Sequence, residues 1–511
     1  MKIIHYNSSI RCIKINNVSV TKRFRGGNVK MKFKKLFSWT TCLVASTALL
    51  AGCSSNSTTA TNEAGNEITT LKMYAIGGEP KDLDLVLAEA NEYLGEKIGV
   101  NLDMSFIDFG DYTQKMSIII NSGEEYDIAF TCSWAGDYLG NARKGAFLEL
   151  DPYLDTIGKD MKEAIDERFW EGAKIDGKTY AVPTQKELGV APMWVFTQEY
   201  VDKYNIPVED IHTLEDLEPW LKVVKENEPD VVPLYITNGF SYTVYFDQLV
   251  EPVGVSLDDN GELKIENMFE TEEMKRDLET LRKYYEAGYI NADSATAQDD
   301  KSVKRLVTKA DGQPYADEIW SENLGYPVVS TPITSTWITN GSTTGSMMAV
   351  SANSENPEKS IEFLNLLNTD AYIRNLINYG LEGTHYELVG ENQIKLINKS
   401  AYDVPYFALG NLFITYVTEN EPLTKWDEFQ EFNDAAETSP ALGFKFDSSS
   451  VSTEIAAINN VLSEFKATLY SGSVDVNEYL GKLNDKLYQQ GLEKVINEMQ
   501  KQMDEWKASN K

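Results

Sequence analysis

The amino-acid sequence predicts an α/β protein with a helical C-terminal region, and three features lead to this prediction. Short apolar runs and 3.6-residue apolar periods alternate between residues 71 and 130, as strands followed by helices do. Glycine and proline breaks separate these segments, as at Gly77-Gly78-Glu79-Pro80. Amphipathic stretches end the chain, at Ser452 to Tyr470 and Val476 to Ala508.

The segment from residue 71 to 130 predicts a parallel sheet. Leu71 to Ile76, Asn101 to Ile107 and Tyr126 to Phe130 have the pattern of strands. Leu83 to Ile98 and Tyr112 to Ile120 have the pattern of helices between them. Strands and helices that alternate in this order form a parallel sheet covered by helices.

Polar and aromatic residues follow the predicted strands directly. Because ligands bind beyond the carboxyl ends of the strands in such sheets, we expect these residues to lie on the functional edge. The candidates from this edge are Glu79, Asp108, Tyr112, Trp134 and Asp137. Each has a structural alternative, which is a solvated carboxylate for the acids and core packing for the aromatic residues.

The beginning of the chain looks like a bacterial lipoprotein signal peptide. Basic residues from Lys32 to Lys35 precede an apolar run, Leu43 to Leu50, and small residues stand just before Cys53. The apolar run is too short to remain as a membrane span. We therefore expect residues 1–52 to be removed and Cys53 to carry the lipid that anchors the protein to the extracytoplasmic face of the cell membrane.

Two flanking segments stand outside the predicted fold. Residues 1–30 contain no acid, and Gly26-Gly27 is what a purine-rich ribosome-binding site would encode, so we expect synthesis to start at Met31. Residues 54–70 are rich in Ser, Thr and Asn. Residues 53–70 are therefore predicted to be a lipidated cysteine and a flexible tether.

Charge and cysteine content exclude several classes of function. The formal net charge is −32, and residues 1–52 hold ten Lys and Arg and no acid, so the remaining chain is more acidic still. Such a surface repels phosphate backbones and anionic headgroups, which argues against nucleic-acid binding. Cys132 is the one cysteine that follows Cys53, so we expect the exported body to have no internal disulfide.

A search for catalytic groups fails. Only His212 and His385 follow residue 52, too few for a zinc site built from several histidines. Gly341-Ser342-Thr343-Thr344-Gly345 has threonine where the nucleophile of GxSxG would stand. Asp258-Asp259-Asn260-Gly261 favours a β-turn over a calcium loop, because its glycine comes too early. We therefore predict that the protein is not an enzyme and needs no cofactor or metal.

Several runs in the body of the chain resemble one protein family. They are GAFLELDPYL (145–154), WEGAKIDGKTYAVPTQ (170–185), TLEDLEPWLKVVKENEPDVVPL (213–234), YYEAGYI (284–290), MMAVSANSENPEKSIEFLNLLNTD (347–370), YGLEGTHYEL (379–388) and ALGFKFDSSSVSTEIAAINNV (441–461). Together they resemble the extracellular solute-binding lipoproteins of bacterial ABC importers, of the maltose-binding-protein-like carbohydrate type. The last run resembles an uncharacterised C-terminal module of one subgroup.

The resemblance implies a periplasmic-binding-protein-like fold, in which two α/β lobes close on a ligand about a hinge. Crossings between the lobes are expected at Thr184 to Trp194 and Ser330 to Gly341. The implied domains are lobe 1 at 71–185, lobe 2 at 186–335, a return to lobe 1 at 336–390 and a mostly helical C-terminal module, packed on the lobes, at 391–511.

The resemblance also implies a monomeric binding protein that delivers a carbohydrate, such as an oligosaccharide, to ABC permease subunits. Sugar rings present flat C–H faces that stack on aromatic rings, and their hydroxyls need polar partners. Further candidates therefore lie near the crossings or in Gly-, Ser- and Thr-rich segments. They are Trp194, Trp337, Tyr242, Tyr245 and Glu187.

Three alternatives stay open at the level of sequence. The same cleft is compatible with a peptide or another polar solute. A surface glycan-processing enzyme would need turnover and a pair of carboxylates at a fixed separation. A structural or adhesive surface lipoprotein would need no cleft, and the lack of sequence repeats disfavours it.

Overall fold

The computed structural model describes residues 68–242, 244–258 and 261–509. The predicted signal peptide, the Met31 start, Cys53 and most of the tether lie outside the described residues. The strands are β1 (Thr69–Ile76), β2 (Val100–Ile107), β3 (Ile128–Thr131), β4 (Val182–Pro183), β5 (Ala191–Thr197), β6 (Val232–Leu234), β7 (Phe246–Val250), β8 (Val253–Ser256), β9 (Glu266–Asn267), β10 (Arg305–Gly312), β11 (Val328–Pro332), β12 (Trp337–Ile338), β13 (Met347–Val350), β14 (Tyr386–Leu388), β15 (Gln393–Leu396), β16 (Val417–Thr418) and β17 (Glu437–Thr438).

The helices alternate with these strands in the first two thirds of the chain and dominate its end. They are α1 (Leu83–Ile98), α2 (Tyr112–Ser122), α3 (Tyr138–Arg143), α4 (Asp151–Leu154), α5 (Lys159–Ala164), α6 (Glu167–Ala173), α7 (Gln198–Tyr204), α8 (Leu214–Asn227), α9 (Glu272–Glu286), α10 (Ala316–Leu324), α11 (Asn340–Thr343), α12 (Pro357–Thr369), α13 (Ala371–Tyr379), α14 (Lys425–Ala435), α15 (Ser452–Tyr470), α16 (Val476–Gln489) and α17 (Leu492–Ser509). None of these described helices is both long and apolar enough to cross a membrane.

Lobe 1 is built on a five-stranded sheet with the order β2-β1-β3-β13-β4. β1 runs parallel to both β2 and β3, as the sequence predicts, because α1 and α2 return the chain to the same end of the sheet. β13 comes from beyond lobe 2 in the sequence and inserts between β3 and β4, antiparallel to both. Leu71 and Met73 of β1 pack with Val86 of α1 in the lobe 1 core.

Lobe 2 has its own four-stranded sheet with the order β11-β5-β10-β6. β5 is antiparallel to β10 and β11, whereas β10 is parallel to β6. Leu217 of α8 and Leu281 of α9 are fully buried in a core separate from that of lobe 1. The prediction of a two-lobe α/β fold is therefore confirmed.

The chain passes between the two sheets at residues 184–190, 333–346 and 436–446, which we call the passages. The second and third passages pair with each other through β12 and β17. The buried side chain of Asn433 holds the first passage, because its Nδ2 donates to the Lys186 carbonyl at 2.8 Å and its Oδ1 accepts from the Leu188 amide at 2.8 Å. Any rotation of the lobes must be taken up in these segments.

Residues 391–435 pack on lobe 1 and are mostly loops and short strands. Within this fully described segment, α14 is the one α-helix. Tyr402, Val404 and Leu409 are buried in the lobe 1 core. The helical part of the predicted C-terminal module therefore lies after residue 451.

The helices α15, α16 and α17 share the core of lobe 2. Leu462, Leu483 and Met499 are buried in the same apolar cluster as Leu281. The single amphipathic stretch from residue 476 to 508 is divided into two helices, because the chain turns at Gly491 with φ +95°. A left-handed residue interrupts the helical hydrogen bonds, and glycine adopts this conformation without a steric cost.

We predict that Leu483→Ala destabilises lobe 2 as a whole. Leu483 is 0% exposed, and α16 packs on α9, so a cavity there should lower the free energy of unfolding by about 2–5 kcal/mol. Urea unfolding gives the free energy, and hydrogen exchange reports on α9. Leu423→Ala, at a position 65% exposed, is the control and should change stability by less than about 0.5 kcal/mol. Loosening confined to α15–α17 would show that the module folds apart from lobe 2.

Candidate ligand-binding cleft

Three aromatic side chains form an exposed surface at the carboxyl edge of the lobe 1 sheet. We call Phe109, Trp134 and Phe407 the aromatic platform. The ring centroids of Phe109 and Trp134 lie 6.3 Å apart, and each lies 6.5 Å from that of Phe407. Phe109 is 48% exposed and Trp134 is 51% exposed. Large apolar groups that stay exposed together mark a binding surface.

The turn that follows β3 fixes Trp134 against the second passage. The Trp134 Nε1 donates a hydrogen bond to the Gly345 carbonyl at 2.8 Å. The neighbouring Ser133 amide donates to the Thr344 carbonyl, also at 2.8 Å. The indole ring is therefore tied to a segment that connects the lobes.

Phe407 reaches the platform because its loop lies directly over the end of β1. Gly77 has φ +128°, and a Cβ at this position would lie 2.6 Å from Pro405 Cγ, so only glycine permits this approach. The Ser346 hydroxyl donates to the Phe407 carbonyl at 2.7 Å. A glycine in the first strand–helix turn thus brings a residue distant in sequence to the site.

Acidic residues stand in the segments next to the platform in the chain and in the first passage. Glu79 and Asp108 are exposed in the segments that follow β1 and β2. Glu187, in the first passage, pairs with Lys186 at 2.6 Å between Oε1 and Nζ. Burial, followed by the charge of Glu187, raises the pKa of Tyr406. In the part of the chain that the structure describes, no cluster of three or more His, Cys, Asp or Glu fits a metal ion.

A second group of aromatic side chains lines a cavity of about 290 Å³ between the lobes, which we call the interlobe pocket. Lobe 2 contributes Tyr315, whose ring stacks on Phe429 of α14 at 6.4 Å. Lobe 1 contributes Tyr379, Tyr402, Tyr406, Trp426 and Phe429. The ring centroid of Tyr406 also lies 6.2 Å from that of Phe407, so one lining residue of the interlobe pocket contacts the platform.

Tyr245 and Trp337, both predicted candidates, meet beside the second passage. Their ring centroids lie 6.1 Å apart at an interplanar angle of 83°, and both side chains are half-buried. Burial, followed by the charge of Glu437, raises the pKa of Tyr245. The structure joins these two residues to each other, and neither belongs to the platform.

Tyr112, Trp194 and Tyr242, three of the predicted ligand contacts, are buried in the lobe cores. Tyr112 is fully buried, and its hydroxyl donates to the Phe130 carbonyl at 2.7 Å. Trp194 is also fully buried and stacks on Tyr242 at 6.0 Å. In this conformation these side chains pack the core.

Asp137 caps the short helix α3. Its Oδ1 accepts from the Gly140 amide at 3.2 Å, and its Oδ2 lies 3.8 Å from Lys144 Nζ. Both partners belong to the same local segment. The structure therefore gives Asp137 a structural role that its place after β3 did not indicate.

Four residues of these two surfaces were not predicted from the sequence: Phe109 and Phe407 of the platform, and Tyr315 and Tyr406 of the interlobe pocket. Phe109 follows Asp108 directly, so the argument from the carboxyl edge applies to it equally. The other three come from loops whose approach depends on tertiary packing. No spacing in the sequence signals that approach.

Two family profiles match the chain. The profile described as bacterial extracellular solute-binding protein matches residues 80–373. The profile described as a domain of unknown function, DUF3502, matches residues 440–508, which contain α15–α17.

Two relatives are similar in sequence. A carbohydrate ABC transporter substrate-binding protein of Streptococcus pneumoniae is 36% identical over an alignment of 496 positions, which covers 94% of this chain and 99% of the relative. Lipoprotein LipO of Bacillus subtilis is 27% identical over an alignment of 286 positions, which covers 53% of this chain and 54% of the relative.

Solved structures of the N-glycan transport solute-binding protein NgtS of Streptococcus pneumoniae are similar in fold. One solved without a named sugar has a TM-score of 0.78 at 36% identity and covers 87% of this chain and 100% of NgtS. The complex with Man1GlcNAc has a TM-score of 0.65 at 35% identity, covering 86% of this chain and 100% of NgtS. The complex with Man5GlcNAc has a TM-score of 0.62 at 36% identity and covers 87% of this chain and 99% of NgtS.

We predict that Cys132 is inert in the folded protein. Its side chain is fully buried beside the platform, and burial raises the pKa of its thiol to about 11, so little thiolate exists at pH 8. A soluble chain that starts at Ser54 contains Cys132 as its one cysteine. Iodoacetamide at pH 8 should leave this chain unlabelled when folded and label it fully in urea, as mass spectrometry measures. Rapid labelling of the folded chain would show that the turn after β3 opens.

Proposed function

The chain belongs to the family of bacterial extracellular solute-binding proteins, and on this premise we propose that it binds an oligosaccharide between its lobes and delivers it to the permease of an ABC importer. One observation carries the proposal. Phe109 and Trp134 of the aromatic platform are exposed at the lobe 1 edge from which the passages leave, and exposed acidic residues, Glu79 and Asp108, stand in the segments that follow β1 and β2. The proposed role is binding and release without chemical turnover.

The chemistry of the platform suits a sugar ring. A pyranose has apolar C–H groups on its faces and hydroxyls around its rim. The rings of Phe109 and Trp134 offer a flat apolar surface. The carboxylates of Glu79, Asp108 and Glu187 supply hydrogen-bond acceptors around that surface. Such an apolar surface with a few polar groups at its border is typical of small-molecule sites.

The interlobe pocket supports a ligand of more than one sugar unit. It continues from the platform through Tyr406 and Phe407, so a chain of linked rings can contact both surfaces. The related protein NgtS has been solved with Man1GlcNAc and with Man5GlcNAc. This similarity supports an oligosaccharide as the cargo.

We infer that the lobes close over the ligand. The platform belongs to lobe 1 and Tyr315 of the interlobe pocket belongs to lobe 2, so a ligand that touches both favours the closed arrangement. The higher TM-score with the NgtS structure solved without a named sugar supports an open arrangement here. The passages provide the hinge.

We also propose that the protein is held on the membrane through a lipid on Cys53. The basic and apolar segments before this cysteine support the proposal, as does the similarity to lipoprotein LipO. The surface is acidic, so electrostatic attraction to anionic headgroups would not hold the protein there. Acyl chains on Cys53 would supply the attachment.

We predict that the soluble chain from Ser54 is stabilised by an oligosaccharide and that Trp134→Ala abolishes most of this effect. A ligand at a hundredfold excess over its Kd adds about 2.7 kcal/mol of stability. Thermal unfolding against a panel of monosaccharides, oligosaccharides including Man5GlcNAc, and peptides identifies the ligand. Calorimetry should then show a Kd raised by about tenfold or more in Trp134→Ala, because the stacking surface is lost.

Matched variants make this experiment specific. Trp134→Phe keeps an aromatic ring on the platform and should retain most of the affinity. Trp220→Ala, which changes a half-buried tryptophan of α8 in lobe 2, should leave the Kd unchanged. Stabilisation by peptides alone would contradict the carbohydrate assignment, and conversion of the sugar would support the enzyme alternative.

We predict that Cys53→Ser abolishes lipid attachment. Cells that express the full chain are grown with labelled palmitate, and the label in the purified protein is measured. The wild type should be labelled, and Cys42→Ser, within the segment expected to be removed, should be labelled equally. Label that persists in Cys53→Ser, or is absent from the wild type, would contradict the proposed anchor.

A further inference from the structure

Arg374 is a buried cation without a carboxylate partner. It lies on α13 and is 0% exposed, and the structure shows no ion pair for it among the described residues. Burial lowers the pKa of its guanidinium to about 10, which leaves it charged at neutral pH. Burying an unpaired charge is costly unless neutral polar groups surround it. The hydrogen-bond acceptors around Arg374 must therefore compensate for its charge.

The acceptors of Arg374 concentrate on one loop, residues 405–411. Its Nη2 donates to the Tyr406 carbonyl at 2.9 Å and its Nε donates to the Asn411 carbonyl at 3.1 Å. Its Nη1 donates to Asn378 Oδ1, one helical turn along α13, at 2.9 Å. The guanidinium therefore holds the loop near both of its ends.

The loop has little regular structure of its own to keep it in place. It contains a single 3-10 turn at Tyr406–Ala408 and no strand pairing. Yet it carries Phe407, a member of the platform, and Tyr406, which also lines the interlobe pocket. The position of both aromatic surfaces thus depends on bonds made from outside the loop.

We propose that Arg374 is a positioning residue for the sugar site, which holds Phe407 against Trp134 and Tyr406 at the interlobe pocket without touching the ligand. Hydrogen bonds from a charged donor are stronger than neutral ones, and the planar fork of arginine reaches two carbonyls at fixed angles. A lysine has one charged nitrogen and cannot reproduce this geometry. The inference rests on the proposed function, because it assumes that the platform binds the sugar.

The test compares Arg374→Met and Arg374→Lys with Asn91→Ala in the soluble chain from Ser54. Asn91 exchanges two hydrogen bonds with the backbone of Leu102 elsewhere in lobe 1, so its loss controls for general destabilisation. Hydrogen exchange of the Ala408 and Leu412 amides, which are bonded to Pro405 and Gln185, reports the order of the loop without any ligand. Calorimetry with Man5GlcNAc, or with the panel sugar that stabilises the wild type most, gives the Kd.

In Arg374→Met we expect both amides to exchange about tenfold faster and the Kd to rise by about tenfold or more, as the loss of a hydrogen bond to a charged group implies. Arg374→Lys should be intermediate in both measurements. Asn91→Ala should lower the unfolding midpoint and change neither. If Arg374→Met does not fold, Asn378→Ala removes one acceptor only and should loosen the same two amides to a smaller degree.

The inference would be overturned if the loop amides of a folded Arg374→Met or Asn378→Ala variant exchanged hydrogen at the wild-type rate. The inference would also be overturned if Asn91→Ala raised the Kd as much as Arg374→Met does. A wild-type chain that binds no sugar in the panel would instead contradict the proposed function, and the exchange measurement would still show whether Arg374 holds the loop. The two failures are therefore distinguishable.

Discussion

The passages between the lobes are the constraint on which the rest of the structure depends. Asn433 holds the first passage from α14, and Asn340 joins the second to the third through the Ala441 carbonyl and the Gly443 amide. The same segments complete lobe 1, because β13 enters its sheet only after the chain has formed the four-stranded sheet of lobe 2. Trp134 is bonded to the second passage, so the binding surface and the hinge form one unit. Movement at the passages therefore changes how lobe 2 faces the platform.

The domain of unknown function is, in structural terms, part of lobe 2. Residues 440–508 match its profile, and their helices bury leucine and methionine side chains in the core that α8 and α9 also form. Two of these helices, α15 and α16, pack on α9, so the segment extends the apolar core of lobe 2. Removing them would expose that core to water, at a cost proportional to the apolar area exposed. A structural role in the core of lobe 2 therefore accounts for this segment, and no separate ligand has to be assumed for it.

The sequence predicts those parts of the fold and the site that depend on local pattern. Strand and helix periods between residues 71 and 130 indicate the parallel sheet, and its carboxyl edge indicates Asp108 and Trp134. The same edge also indicates Tyr112, whose side chain is buried, because a residue that opens a helix can turn into the core as readily as toward the cleft. Phe407 depends on a loop that lies over Gly77, an approach without a local signal. The sequence does contain a signal for the break at Gly491, because glycine is the residue that ends helices most readily.

The most direct test of this account is a crystal structure of the soluble chain with the oligosaccharide that stabilises it most. The account predicts a sugar ring stacked on Phe109, Trp134 and Phe407, hydroxyls bonded to the surrounding carboxylates, and the lobes closer together than in the structure described above. A sugar bound on the outer surface of either lobe, with the platform empty and the passages unchanged, would contradict it.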